Sequence, residues 1–134
     1  MSIALIARLI LGLPLVVFGL NGFLHYFEPP VELPVAGMAF LEALEATGYM
    51  LPLVSGTEVL SGVMILTGLF LPLGLTLIAP VLVNIVSFHV YLDDPKNGAV
   101  GYVMTLCALI LAWSYRSSFA GVLAPFAQRS GSKA

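Results

Sequence analysis

Residues 51–92 read LPLVSGTEVLSGVMILTGLFLPLGLTLIAPVLVNIVSFHVYL, and Glu58 is the one Asp, Glu, Lys or Arg among them. A membrane-spanning helix needs about 20 mostly apolar residues. This stretch supplies two such lengths, Leu51 to Phe70 and Leu73 to Leu92, joined at Leu71-Pro72. Proline suits the first turn of a helix, where its missing N–H costs nothing. Pro52 and Pro72 therefore read as helix starts, and the whole stretch as a tight hairpin of two spans.

Working outward, Ile3 to Leu24 forms a span before the hairpin and Ala99 to Tyr115 one after it. The first run is too long for the apolar core of a signal peptide, and no small-residue cleavage site follows it. Gly98 and Asp93-Asp94-Pro95 mark the turn before the last span. The chain of 134 residues is 60% hydrophobic and 9% charged, with a mean hydropathy of +1.05. A soluble domain carries about 25% charged residues, so most of this surface faces lipid. The expected fold is all-α: one integral-membrane domain over residues 1–134, a four-helix bundle with a tail at 116–134.

The loop from His25 to Met50 opens on Glu28-Pro29-Pro30, a stiff extended start. Residues 38–46 then read as a short amphipathic helix, with Met38, Phe40, Leu41 and Leu44 opposite Glu42 and Glu45. It either lies in the membrane interface or forms a lid over a site between the helices. This loop has four acidic residues and no Lys or Arg, whereas Arg8 lies near the N-terminus and Arg116, Arg129 and Lys133 follow the last span. The positive-inside rule then places both termini in the cytoplasm and both longer loops outside. Arg8 is expected to snorkel to the inner headgroups. Trp113, Tyr115, Tyr91 and Tyr102 fall near span ends, as interfacial aromatics do.

Lipid gives no hydrophobic drive for helix association, so small residues are expected at the contacts. Gly12 and Gly19 on the first span, Ser61 and Gly62 on the second, and Ala108 and Ala112 on the fourth fit that role. Pro14 and Pro80 lie inside spans, where each removes a helical hydrogen bond.

Candidate functional residues are the polar groups within the spans, because an ionisable side chain at such depth is expensive and normally faces protein. At a rise of about 1.5 Å per residue, Glu58 and Asn84 lie about 10 and 12 Å below the outer end, close enough in depth to bond across the hairpin. Asn21 and His89 lie about 5 Å down on the same rise, with His25 at the surface. Helical periodicity gathers Thr76, Pro80, Asn84, Ser87 and Tyr91 on one stripe, Ser55, Glu58 and Gly62 on another, and Pro14, Phe18, Asn21 and His25 on a third. His89 lies off the Asn84 stripe. The expectation is a polar pocket in the outer half of the bundle, with Glu58, Asn84, Asn21, His89, His25, Ser55, Ser87 and Tyr91 as ligand-binding residues. Each also has a packing role open to it: Glu58 as a hydrogen-bonded carboxyl, the asparagines as interhelical links, the histidines as interfacial anchors.

A net charge of −2 offers no basic footprint for nucleic acid. Cys107 is the lone cysteine, which excludes thiol–disulfide chemistry within one chain. No phosphate loop, dinucleotide fingerprint or zinc spacing occurs, and no nucleophile–base pair is recognisable, so a standalone enzyme is not expected. No metal site is expected. A haem held between His25 and His89 is a weak alternative.

Four segments together carry a family resemblance: Arg8-Leu-Ile-Leu-Gly12, Phe18-Gly-Leu-Asn21-Gly22-Phe23, Glu58-Val-Leu-Ser-Gly62 and Leu66-Thr-Gly68-Leu-Phe-Leu-Pro-Leu-Gly74. In this order, with four spans, the chain resembles the DoxX family of small bacterial membrane proteins. Many members have a lysine near the end of span one, where this chain has Asn21-Gly22-Phe23. The resemblance implies a protein of the bacterial inner membrane, a quinone-interacting or accessory subunit of a membrane redox system. The partner it implies is a redox protein in the membrane; the bilayer and further copies of the chain are the other expected partners. The alternatives are a module that binds or moves protons or a small solute, and a structural or assembly partner of another membrane protein.

Overall fold

A computed structural model describes residues 2–28, 32–127 and 129–131. Pro29 and Pro30 of the expected stiff loop start, and Lys133 of the basic tail, lie outside the described residues. The molecule is all-helical: α1 (Ile3–Leu24), α2 (Val35–Ala46), α3 (Met50–Thr67), α4 (Leu71–Tyr91) and α5 (Ala99–Ser114), with 3-10 turns at Pro95–Gly98 and Arg116–Phe119. Four of these helical stretches are long and apolar enough to cross a membrane.

The spans lie close to where hydropathy puts them, and two boundaries differ. Gly68 ends α3 with a φ of 79°, a left-handed conformation that glycine adopts without a Cβ clash. The turn is therefore Gly68-Leu69-Phe70, and α4 starts at Leu71 with Pro72 in its first turn. The loop helix α2 begins at Val35 rather than at residue 38, directly after Pro34. Its packed side is Gly37, Phe40, Leu41 and Leu44, while Met38 is exposed with Glu42 and Glu45.

The spanning helices form a ring in the order α1, α3, α4, α5, each antiparallel to the next. Their shared core includes Leu11, Leu15, Ile65, Ile78, Leu82, Met104 and Leu111. The exterior is apolar too, with exposed Leu13, Val63, Val83 and Leu109, as a lipid-facing surface requires.

The α1–α3 seam is the tightest. A Cβ on Gly19 would stand 2.9 Å from the Ser55 carbonyl oxygen and 2.9 Å from the Val59 nitrogen, and one on Gly62 would stand 3.0 Å from the Gly12 oxygen. Small residues thus bring the two backbones together, as expected in lipid. Arg8 locks the same pair and does not reach out to headgroups. Its Nε donates to the Ile65 carbonyl at 2.9 Å and its Nη2 to the Leu66 carbonyl at 2.7 Å. Those carbonyls belong to the last turn of α3, which lacks helical donors and carries the negative end of the helix dipole. A cation has a partner there that it would otherwise seek in water.

At the opposite end α4 overhangs its neighbour. Gly74 packs on Ser61, Met64 and Ile65. Counting about 1.5 Å per residue from that crossing, Tyr91 stands about 7 Å beyond the first turn of α3. Helix α2 packs on this overhang, with Gly37 against the Leu92 carbonyl and Phe40 5.7 Å from Phe88 between ring centroids.

Candidate functional site

The phase of α4 decides which polar side chains can meet. Its buried residues are Leu71, Gly74, Leu75, Ile78 and Leu82. At 100° per residue, His89 continues that inward stripe, whereas Thr76, Pro80, Asn84 and Tyr91 fall on the opposite side and are exposed. Tyr91 is 81% exposed. The expected convergence of the Asn84 stripe on Glu58 does not occur: Asn84 faces outward, and His89 faces the bundle. The depths differ as well. Measured from the Gly74 crossing, Asn84 lies about 15 Å along α4 and Glu58 about 7 Å along α3. The overhang of α4 causes the offset.

The remaining expected residues have other partners or none. Asn21 is spent on a turn: its Nδ2 donates to the Phe27 carbonyl at 3.0 Å, and its Oδ1 accepts from the Phe27 N–H at 3.0 Å. Its own carbonyl accepts from the N–H of His25, which caps α1 with a φ of 50°. That backbone turn directs Phe27 onto Phe18, 5.8 Å away between centroids. The Ser87 hydroxyl donates to the Val83 carbonyl at 2.8 Å. The His25 side chain is exposed, and Ser55 is buried where α1 and α3 touch, directly against Gly22. Glu58 sits on the inward face of α3 between Ser55 and Gly62, near the level of Gly19, and is half-buried. Among the described residues no hydrogen bond reaches its carboxyl. Ser61, 0% exposed, likewise has an unpartnered hydroxyl.

Among the described residues one organised polar cluster forms, at the α2 end. His89 Nδ1 lies 2.8 Å from Asp93 Oδ2, and Asn97 Nδ2 donates to Asp93 Oδ1 at 3.1 Å. The Asp93 side chain is 1% exposed and that of His89 22%. The cluster follows from the sequence locally: residues 89, 93 and 97 are spaced one helical turn apart at the frayed end of α4, where the 3-10 turn at Pro95–Gly98, N-capped by the Asp94 side chain, bends the chain back. Tyr102 anchors that turn by donating to the Pro95 carbonyl at 2.9 Å. Desolvation pushes the Asp93 carboxyl up, but hydrogen bonds from the Asp94 backbone, His89 and Asn97, with the charge of His89, together hold it below its ordinary value of 3.8.

An ionised Asp93 can only accept, so when the His89 ring is neutral its proton sits on Nδ1 and Nε2 presents a lone pair. This is a histidine whose ring is oriented by a carboxylate. It can accept a proton from a hydroxyl and hold the charge. Asp93 and Asn97 were not among the expected site residues, although the spacing of 89, 93 and 97 was available as a signal. Glu58 lies about 15 Å deeper than His89 by helical rise, so the two do not form one pocket.

Two shallow apolar grooves mark the outside of the bundle. One, of about 250 Å³, is lined by Pro52, Leu53, Gly56, Thr57, Leu60 and Leu77. The other, of about 330 Å³, lies between Ile10 and Pro14 of α1 and Val100 and Met104 of α5. Among the described residues no group of three or more His, Cys, Asp or Glu side chains is gathered as a metal site would be.

A scan against protein-family models finds no match to the chain, and searches of curated proteins and of solved structures return none.

Proposed function

We propose that this chain is a quinone-interacting accessory subunit of a membrane redox system, of the DoxX type that its four motif segments resemble, and that its ligand site is the α2 end of the bundle. The observation that carries the reading is the His89–Asp93 pair, 2.8 Å apart, on the inward stripe of α4 beside the packed face of α2. The acceptor at His89 Nε2 fits the hydroxyl of a reduced, quinol-type ring. His89 Nε2 accepts the hydroxyl hydrogen bond and, as the redox partner withdraws the ring's electrons, the proton, and Asp93 stabilises the imidazolium that results. Phe88 and Phe40 give an apolar flank for the ring, and the lipid-facing groove between α1 and α5 suits an isoprenoid or acyl tail. The quinone itself supplies electron carriage, which the chain's own side chains do not offer.

On this reading the chain lies in the bacterial inner membrane. Arg8, Arg116 and Arg129 mark the cytoplasmic end, and Glu28, Glu32, Glu42 and Glu45 the outer one, in keeping with the positive-inside rule. The test is titration of a short-chain quinol into protein in lipid nanodiscs. His89→Leu is expected to abolish binding and Asp93→Asn to weaken it about tenfold or more, in line with carboxylates that orient a histidine elsewhere; Asn84→Ala is expected to leave it unchanged. Binding that survives His89→Leu overturns the reading.

A second reading rests on Glu58, which faces the interior without a hydrogen-bond partner among the described residues. It is that of a proton- or small-solute-binding module, with Glu58 as the titrating group and Pro14 and Pro80 as hinges. Proton flux into proteoliposomes that Glu58→Gln removes would favour it over the first; flux unchanged by that substitution would dismiss it.

A further inference from the structure

The outward face of α4 carries a group that lipid cannot satisfy. Asn84 is exposed, and among the described residues no hydrogen bond reaches its carboxamide. Helix α4 has 21 residues, a length of about 31 Å that matches the hydrocarbon core. Asn84 lies about 10 Å inside the Tyr91 end on the same rise, and its short side chain cannot reach the interface from there. An amide in hydrocarbon without a partner is costly, because no solvent replaces the lost bonds.

What would satisfy it must both donate and accept at one depth. A second copy of the chain does so without further requirement. All copies insert with the same orientation, so a two-fold axis along the membrane normal sets each residue opposite itself. Two facing carboxamides then exchange N–H···O bonds reciprocally. The surroundings suit close approach: Thr76, Pro80 and Ser87 are compact, and the hydroxyls of Thr76 and Ser87 are already turned back on the Pro72 and Val83 carbonyls. Beside the stripe runs the 250 Å³ groove between α3 and α4. Its Leu77 stands two helical turns below Asn84 on the same flank, so side chains from an apposed helix have a place to lodge.

We propose that two copies of this chain pair side by side in the bilayer through the outward face of α4, with the Asn84 carboxamides bonded to each other. The inference is independent of the ligand at His89.

The test uses the full chain with Cys107→Ser, reconstituted in lipid vesicles, with single cysteines placed by Val83→Cys, Ser87→Cys or Leu106→Cys and oxidised briefly. The α4 cysteines are expected to give disulfide-linked dimers, and Leu106→Cys, exposed on α5, is expected to remain monomeric. In a dilution series followed by energy transfer between labelled copies, Asn84→Leu is expected to weaken pairing about threefold to twentyfold, the range for interhelical hydrogen bonds in membranes. Helical content by circular dichroism checks that each variant is folded. Equal cross-linking from α4 and α5, or pairing unchanged by Asn84→Leu, overturns the proposal. So does cross-linking of the α4 cysteines to a different protein in native membranes with none between purified copies.

Discussion

The two ends of the bundle spend their polar groups differently. At the end carrying the chain termini, Arg8 places its donors on the Ile65 and Leu66 carbonyls, and a charge expected to snorkel to headgroups proves to be the cap of α3. At the α2 end, Asn21 closes α1 in a comparable way. His89 does not: Asp93 and Asn97 fix its orientation, and among the described residues no hydrogen bond reaches Nε2. A polar residue in a spanning helix therefore signals chemistry only when the structure leaves part of its bonding capacity unspent. The first end is closed by its hydrogen bonds, while at the second they orient the His89 ring.

Substitutions can break this contrast at graded strength. The seam between α1 and α3 carries both ends, so Gly19→Val is the most damaging change. Its branched side chain must displace backbone atoms that already stand 2.9 Å from a Cβ, and overpacking of this kind costs about 1–3 kcal/mol. A denaturing-detergent titration of helical content is expected to show the midpoint moving down, by more than for any variant below.

Arg8→Met removes the cap and leaves two carbonyls of α3 unpaired. Hydrogen bonds from charged groups are worth about 1.5–3 kcal/mol, and a loss of about 2 kcal/mol is expected by the same titration. Ligand binding at the opposite end is expected to persist in whatever fraction stays folded. Asn21→Ala removes two neutral bonds to Phe27 and is expected to cost about 1 kcal/mol, with faster hydrogen exchange confined to residues 25–28.

The Asp93 cluster responds to pH with a definite sign. A carboxyl held below its ordinary value stabilises the fold at every pH above the unfolded value, and that contribution is lost as pH falls through the lowered folded value. Order at the 93–98 turn is therefore expected to hold from neutral pH down to about 4 and to weaken progressively as pH falls below 3.8, as read by hydrogen exchange. Asp93→Asn is expected to abolish that dependence. The smallest effect falls to Asn84→Leu, which replaces a lipid-facing amide and is expected to leave monomer stability unchanged or slightly raised.

The spans, Pro72 as a helix start, the seam glycines and the loop helix were legible because hydropathy, proline and small-residue spacing report them directly. The phase of α4 was not. In a soluble protein the apolar stripe marks the interior, but here both the lipid face and the core are apolar, so leucine and valine surround the helix and hydropathy does not say which side turns inward. The polar stripe through Asn84 was read as inward on the rule that charges avoid lipid, and Asn84 is where that rule fails for a neutral amide. The partner of Arg8 lies more than fifty residues away in sequence, beyond any local pattern. Asp93 was passed over because it precedes Asp94-Pro95 and reads as turn chemistry.

The most direct measurement is mass spectrometry of an organic extract from protein purified in mild detergent, with His89→Leu prepared in parallel. The account predicts a quinone in near-stoichiometric amount from the wild-type chain and its loss from the variant. A wild-type extract holding only phospholipid, or equal quinone in both preparations, would contradict it.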